Sequence, residues 1–199
     1  MLKIGVTGGI GSGKSTVCEI FKQLGIPVFN SDFEANKLID TSATVDFYKN
    51  EFGDIVFTNN SLDKQKIASL IFNNPEALQK VNDFIHPKVN ENFVNWVNKQ
   101  KNCLYVIKES ALLLDLKTKQ DLNYIILVHA PLELRIKRVM LRDGTDKETI
   151  LKRVKNQSPD EEKMKKASHI ISNDDHSLLL SQVLALHNMY LKEAQNLSQ

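Results

Sequence analysis

The segment Gly8-Gly9-Ile10-Gly11-Ser12-Gly13-Lys14-Ser15 constrains this chain more than any other. It fits G-x-x-x-x-G-K-[ST] in full, and its flanks suit it. An apolar run, Leu2 to Thr7, precedes it, and a helical pattern, Thr16 to Leu24, follows. A turn of this kind aims backbone N–H groups at an anion. Glycines allow the dihedrals and the close approach. The helix behind them directs its positive end at the same point. Lys14 is expected to reach the β- and γ-phosphates of a nucleotide, Ser15 to ligate Mg²⁺, and Thr16 to contact the α-phosphate side. Gly9, Gly11, Ser12 and Gly13 complete the expected ATP-binding loop.

Four further apolar runs share the character of the first: Pro27 to Asn30, Leu104 to Lys108, Tyr124 to His129 and Ser168 to Ser172. They are rich in Val and Ile and lack polar alternation, which is how strands buried on both faces of a parallel sheet read. Helical patterns between them imply right-handed βαβ units. The expectation is a three-layer α/β fold with a five-stranded parallel sheet, in a single domain over 1–199.

Two stretches exceed what a crossover needs. Between the second and third runs, at about 33–103, the pattern predicts a helical insertion suited to substrate recognition. Its helices are expected over Asp63 to Phe72, from near Pro75, and again after Pro87, where Phe93, Trp96 and Val97 form an apolar face. At about 138–160, Arg138 and Arg142 share a helix face, and Arg153 lies beyond the Asp143-Gly144 turn. Most of the surrounding lysines read as a solvated face. The three arginines read as a lid over ATP, one stacking on adenine and the others reaching phosphate.

Composition narrows the partners. The 26 Lys and Arg against 24 Asp and Glu leave a net charge of +2, which argues against a general nucleic-acid or membrane-surface binder. Cys18 and Cys103 have neither C-x-x-C nor zinc spacing and read as free thiols. No signal peptide is visible, so a cytoplasmic location is expected. The expected assembly is a monomer, with an oligomer as the alternative. His169, within an apolar run, reads as a satisfied core histidine.

A phosphate loop alone does not separate a kinase from a switch. The guanine-reading N-K-x-D is missing, since Asn36-Lys37 continues as Leu38-Ile39, and no D-x-x-G occurs. Asp32 lies just past the second run, at the ligand edge of a parallel sheet. It reads equally as a helix cap and as a general base for a substrate hydroxyl. The rivals are another small-molecule kinase of this fold and an ATP-hydrolysing switch.

The residues resemble the dephospho-CoA kinase family over essentially the whole chain. Thr7 to Thr16 is similar to that family's phosphate loop, and Asn30-Ser31-Asp32 falls at its D-A-D. Leu62-Asp63-Lys64, Ile71-Phe72-Asn73-Asn74-Pro75 and Ile85-His86-Pro87-Lys88 resemble its substrate region. Arg138-x-x-x-Arg142-Asp143-Gly144 and Arg153-x-x-x-Gln157 resemble its lid, and Ile170-Ile171-Ser172-Asn173 the end of its last strand. The resemblance implies Mg-ATP-dependent phosphorylation of the ribose 3′-hydroxyl of dephospho-CoA, the last step of coenzyme A biosynthesis. Asp32 would be the base. Lys14, Arg142 and Arg153 would stabilise the transferring charge, Arg138 and Asn173 would hold ATP, and His86 and Lys88 would face the acceptor. The chain departs from the family at Glu109-Ser110-Ala111-Leu112-Leu113-Leu114-Asp115, where the pattern is D-x-P-L-L-F-E. Glu109 is expected to hold Mg²⁺ through water or to position substrate. Asn30 removes one carboxylate of D-A-D and leaves Asp32 as the base.

Overall fold

The protein was examined as a computed structural model, which describes residues 1–59, 61–114 and 121–197. In chain order the elements are β1 (Leu2–Thr7), α1 (Lys14–Gln23), β2 (Val28–Asn30), α2 (Ser31–Leu38) and α3 (Ser42–Phe52). A 3-10 turn, Gly53–Val56, leads to β3 (Phe57–Thr58), β4 (Ser61–Leu62), α4 (Lys64–Asn73) and α5 (Pro75–Lys99). Then come β5 (Tyr105–Glu109), β6 (Tyr124–His129), α6 (Leu132–Asp143), α7 (Lys147–Lys155), α8 (Asp160–Lys166), β7 (His169–Ser172) and α9 (Leu179–Asn196). These elements form two compact units, one of residues 1–30 and 100–199, the other of residues 31–99.

The first unit holds a parallel sheet in the order β2-β5-β1-β6-β7, the five apolar runs of the sequence. Chain order reverses on either side of β1, so the loop leaving β1 opens at the switch point where α/β sheets take ligands. The α/β class with five parallel strands is as expected. On one face Ile4, Val6, Tyr105, Ile107, Ile126, Val128 and Ile171 join Val17 and Phe21 of α1 and Val183 and Tyr190 of α9 in the main core. Each large side chain buried there contributes about 1.5–3 kcal/mol.

Polar contacts fix α9 in register. Gln182 accepts from the Ser172 N–H and donates to the Ser172 carbonyl, both at 2.9 Å. Tyr105 pairs its hydroxyl with His187 Nδ1 at 2.6 Å, and Tyr124 donates to Glu193. His169 packs its ring against Tyr124 and Tyr190, but its buried Nε2 has no hydrogen-bond partner among the described residues. It is therefore a packed histidine, as its apolar setting predicts, with Nε2 unsatisfied rather than satisfied. Cys18 and Cys103 are free thiols.

Lys108 is the exception in the sheet: a lysine in a central strand, 4% exposed. Burial pushes its ammonium down to about 8 from the ordinary 10.5. Between these values the unfolded chain holds a proton that the folded chain has released. The contribution of this group to stability is thus lowest below pH 8 and rises up to pH 10.5. Lys108→Met should flatten that rise, which urea midpoints at several pH values in both proteins would show. Identical pH dependence would mean that the folded protein carries the charge at no cost.

The second unit is helical apart from the β3–β4 hairpin, with α2 and α4 packed on α5. Phe47, Tyr48 and Phe52 of α3 gather at Phe84 of α5, with the Phe47 and Phe84 rings stacked at 4.0 Å. The Asp63 side chain caps α4 by accepting from the N–H groups of Gln65 and Lys66, so the helix starts at Lys64, one residue after its expected start at Asp63.

One expectation fails here. Separate helices are predicted from Pro75 and after Pro87, yet α5 is a single helix of 25 residues through Pro87. A proline inside a helix costs ~3 kcal/mol. The buried stripe Ala77, Val81, Ile85, Val89, Phe93 and Val97 repeats every fourth residue with no break at Pro87. Several such side chains at about 1.5–3 kcal/mol each outweigh the proline.

Candidate active site

The phosphate loop fills the turn between β1 and α1. Gly13, at φ 93°, stands where α1 would otherwise carry a capping side chain; no side chain caps this helix, and no acidic residue enters its first turn. The first-turn N–H groups and the positive end of the helix are thereby left for an anion. Gly13 is required by contact as well as by φ: a Cβ there would stand 2.1 Å from Asn173 Nδ2. That amide donates to the Ser12 carbonyl at 2.8 Å, so the end of β7 braces the loop. Lys14 Nζ donates to the Gly8 carbonyl at 2.8 Å and lies 3.4 Å from that of Gly9, above the cradle.

Glu109, the last residue of β5, reaches under the same loop. It is 8% exposed and accepts from Ser15 Oγ at 3.3 Å and from Asn30 Nδ2 at 2.8 Å. The register explains the meeting, because Glu109 pairs with Val6 of β1 on one side and Asn30 of β2 on the other. Burial, then the charge of Glu109, pushes the Cys18 thiol up, which leaves this cysteine unreactive. Among the described residues no three His, Cys, Asp or Glu side chains cluster to hold a metal. Ser15 Oγ and Glu109 are instead two hard oxygen donors side by side, which fits Mg²⁺, an ion that keeps waters and takes its remaining ligands from phosphate. Asp115 lies outside the described residues.

The three arginines do not form one cluster. Arg142 gives Asp143 two parallel hydrogen bonds, at 2.7 and 2.9 Å, and Arg153 Nη1 stands 4.0 Å from the same carboxylate. The Arg142 bonds hold the Asp143 carboxyl below its ordinary range. Arg138 turns the other way. It donates to the Asn173 carbonyl at 3.1 Å and pairs with Asp175. Two of the expected ATP ligands, Arg138 and Asn173, are thus brought together with Ser12 of the loop. Gln157 Oε1 accepts from the Ile10 N–H at 3.2 Å, a contact for which the sequence reading had no role.

Asp32, His86 and Lys88 lie in the second unit. Asp32 is exposed in the first turn of α2, which begins one residue earlier at Ser31, so it is within the helix and not its N-cap. His86 is half-buried in mid-helix, not at a helix start. Lys88, two residues on, sets Nζ 4.0 Å over the Phe84 ring. Arg135, another basic residue of α6, has no role among the expectations drawn from the sequence. It is 4% exposed, beside Ile136 and Val139 on the buried face of α6. The apolar spacing of Ile136 and Val139 is the signal that places it inside.

A family model described as dephospho-CoA kinase matches residues 2–178. A dephospho-CoA kinase from Bacteroides fragilis is 39% identical over 190 residues, covering 93% of this chain and 91% of its own length. One from Coxiella burnetii is 36% identical over 199 residues, covering 98% of this chain and all of its own. Among solved structures, a Thermus thermophilus protein superposes with a TM-score of 0.83 at 32% identity, covering 96% of this chain and 97% of that one. A dephospho-CoA kinase from Campylobacter jejuni gives a TM-score of 0.59 at 26% identity, covering 94% and 96%.

Proposed function

The chain belongs to the dephospho-CoA kinase family, and from that premise we propose how its residues move a phosphoryl group from ATP to the ribose 3′-hydroxyl of dephospho-CoA. The products are coenzyme A and ADP, and the reaction is the last step of coenzyme A biosynthesis. The single observation that carries the assignment of roles is the loop itself, complete and uncapped, with Ser15 set on Glu109.

The triphosphate lies along the loop N–H groups, from Gly9 and Gly11 through Ser12 and Gly13 to Thr16. Lys14 exchanges the Gly8 and Gly9 carbonyls for β- and γ-phosphate oxygens. Ser15, with Glu109 through water, would hold Mg²⁺, and the bound ion would screen the phosphate charge. Asp32 takes the proton of the attacking hydroxyl. Arg142 and Arg153 meet the charge on the transferring group from a lid at about 138–160. Their present contact with Asp143 is exposed and screened by solvent, so leaving it costs little. Arg138 and Asn173 hold the adenosine side. His86 and Lys88 serve the acceptor, from a helical insertion at about 33–103. No described helix is long and apolar enough to cross a membrane. We place the reaction in the cytoplasm, carried out by a monomer on small-molecule substrates.

ADP release from Mg-ATP, with dephospho-CoA, adenosine or AMP as acceptor, tests the reading. Stimulation by dephospho-CoA alone, with coenzyme A formed in step, is expected. Stimulation by adenosine or AMP instead would keep a kinase and reject this acceptor. Turnover indifferent to every acceptor would favour a switch. Glu109→Gln tests the metal role. It should raise the Mg²⁺ needed for half-maximal rate, or lower the rate, by about 10- to 100-fold. An unchanged Mg²⁺ titration would leave Glu109 only its contacts with Ser15 and Asn30.

A further inference from the structure

We propose that Arg135 is a positioning residue for the phosphate cradle: anchored by Asp160, its guanidinium backs Gly9 and sets the loop in the shape that binds ATP. The inference rests on the kinase reading of this site.

Arg135 lies in the first turn of α6, directly after the ligand end of β6. Nη2 donates to Asp160 Oδ2 at 2.8 Å, while the buried Nε has no acceptor among the described residues. The loop touches this residue at both ends. A Cβ on Gly9 would stand 1.8 Å from Arg135 Nη1, and one on Gly11 would stand 2.5 Å from the Arg135 carbonyl oxygen. Glycine at position 9 is therefore matched to the guanidinium packed behind it. The anchor stands at the end of the proposed lid. Asp160 opens α8, three residues after Gln157, whose side chain accepts from the Ile10 N–H. The Ile10 side chain packs on the cluster of Ile136, Val139 and Ile150, so α6 and α7 also grip the loop.

A role in stability alone accounts poorly for this arrangement. Desolvation of the buried guanidinium offsets much of its attraction to the partly exposed Asp160, and a well-packed apolar residue would hold α6 as well. What an apolar residue lacks is a positive charge against the backbone of a loop built for a polyanion. Loss of the guanidinium would empty the space behind Gly9 and leave the Asp160 carboxylate facing His129 Nδ1, 3.9 Å away. The loop would then order only when ATP arrives, and affinity would fall by that ordering cost. Arg135 is not expected to touch ATP, and its effect passes through Gly9.

The test is calorimetric binding of Mg-ATP and, separately, of dephospho-CoA, to wild type, Arg135→Gln, Asp160→Asn and the double variant, each with a thermal melt. Arg135→Gln should weaken Mg-ATP binding about tenfold or more, with dephospho-CoA binding within about twofold of wild type. Asp160→Asn should act in the same direction. The double variant should be no weaker than Arg135→Gln, because both changes break one interaction. Mg-ATP affinity in Arg135→Gln within about twofold of wild type would overturn the proposal, whatever the melt shows. So would equal weakening toward both ligands, or additive effects in the double variant. Should Arg135→Gln fail to fold, the isosteric Asp160→Asn, at a partly exposed position, carries the same comparison: selective weakening toward Mg-ATP supports the role and unchanged affinity ends it. A wild type that binds no Mg-ATP would instead sink the kinase reading itself.

Discussion

Lys14→Ala removes phosphoryl transfer and leaves the protein folded. Lys14 is the first residue of α1, and its ammonium rests on the Gly8 and Gly9 carbonyls, outside the apolar core. Those carbonyls can turn to water when the ammonium is gone, and alanine is a good helix former at this position. The chemical loss is much larger. In the proposed reaction the ammonium is the mobile cation of the loop and follows charge from the γ-phosphate to the leaving group. Removal of one such contact costs roughly 10²- to 10³-fold in turnover. Steady-state rates with dephospho-CoA, beside a circular-dichroism melt, separate the two effects. A variant that unfolds would place Lys14 in the structural framework and void the assignment of the loop.

Asp32→Asn lowers turnover by roughly 10²- to 10⁴-fold while Mg-ATP still binds. The competing role is support of α2, where an acidic residue in the first turn is worth about 0.3–1 kcal/mol. That amount lowers the melting temperature by a few degrees and cannot remove several orders of magnitude in rate. The two roles are thus told apart by size. Loss of rate with Mg-ATP affinity kept identifies the base. A small loss of stability with full turnover reduces Asp32 to a residue that favours its helix.

The departures from the family pattern at Asn30 and Glu109 make sense as a pair. Read along the chain, they are two separate changes: a lost carboxylate and a lengthened one. In the sheet they are neighbours, and the Asn30 amide donates to the longer Glu109 side chain at 2.8 Å. One carboxylate with an amide partner avoids the repulsion of two acids at adjacent strand ends. Glu109 then has an oxygen left for Ser15.

Local pattern was enough for the strands and the loop. A strand buried on both faces is apolar at nearly every position, with Lys108 and Glu109 at the end of β5 as the exceptions, and a phosphate loop must have glycines where backbone meets phosphate. Both demands are met residue by residue, so the five runs and Gly8 to Ser15 were legible without contacts. The break predicted at Pro87 was wrong because a local rule met a longer one. The missing hydrogen bond belongs to Pro87 alone, whereas the stripe from Ala77 to Val97 belongs to the whole helix.

The sequence by itself determined the strands, the cradle and the residue types proposed to meet phosphate, because each follows from chemistry within a few neighbouring positions. Only the tertiary structure decided which charges serve the cradle. Arg138 and Arg142 are one turn apart on α6, yet one turns to Asn173 and the other to Asp143. Arg135, in the same helix, is buried behind Gly9 on an aspartate 25 positions away. Spacing tells which face of a helix a side chain shares. What that face packs against depends on residues distant in the chain, and for a charged group that neighbour decides whether it is solvated, paired or at work on a ligand.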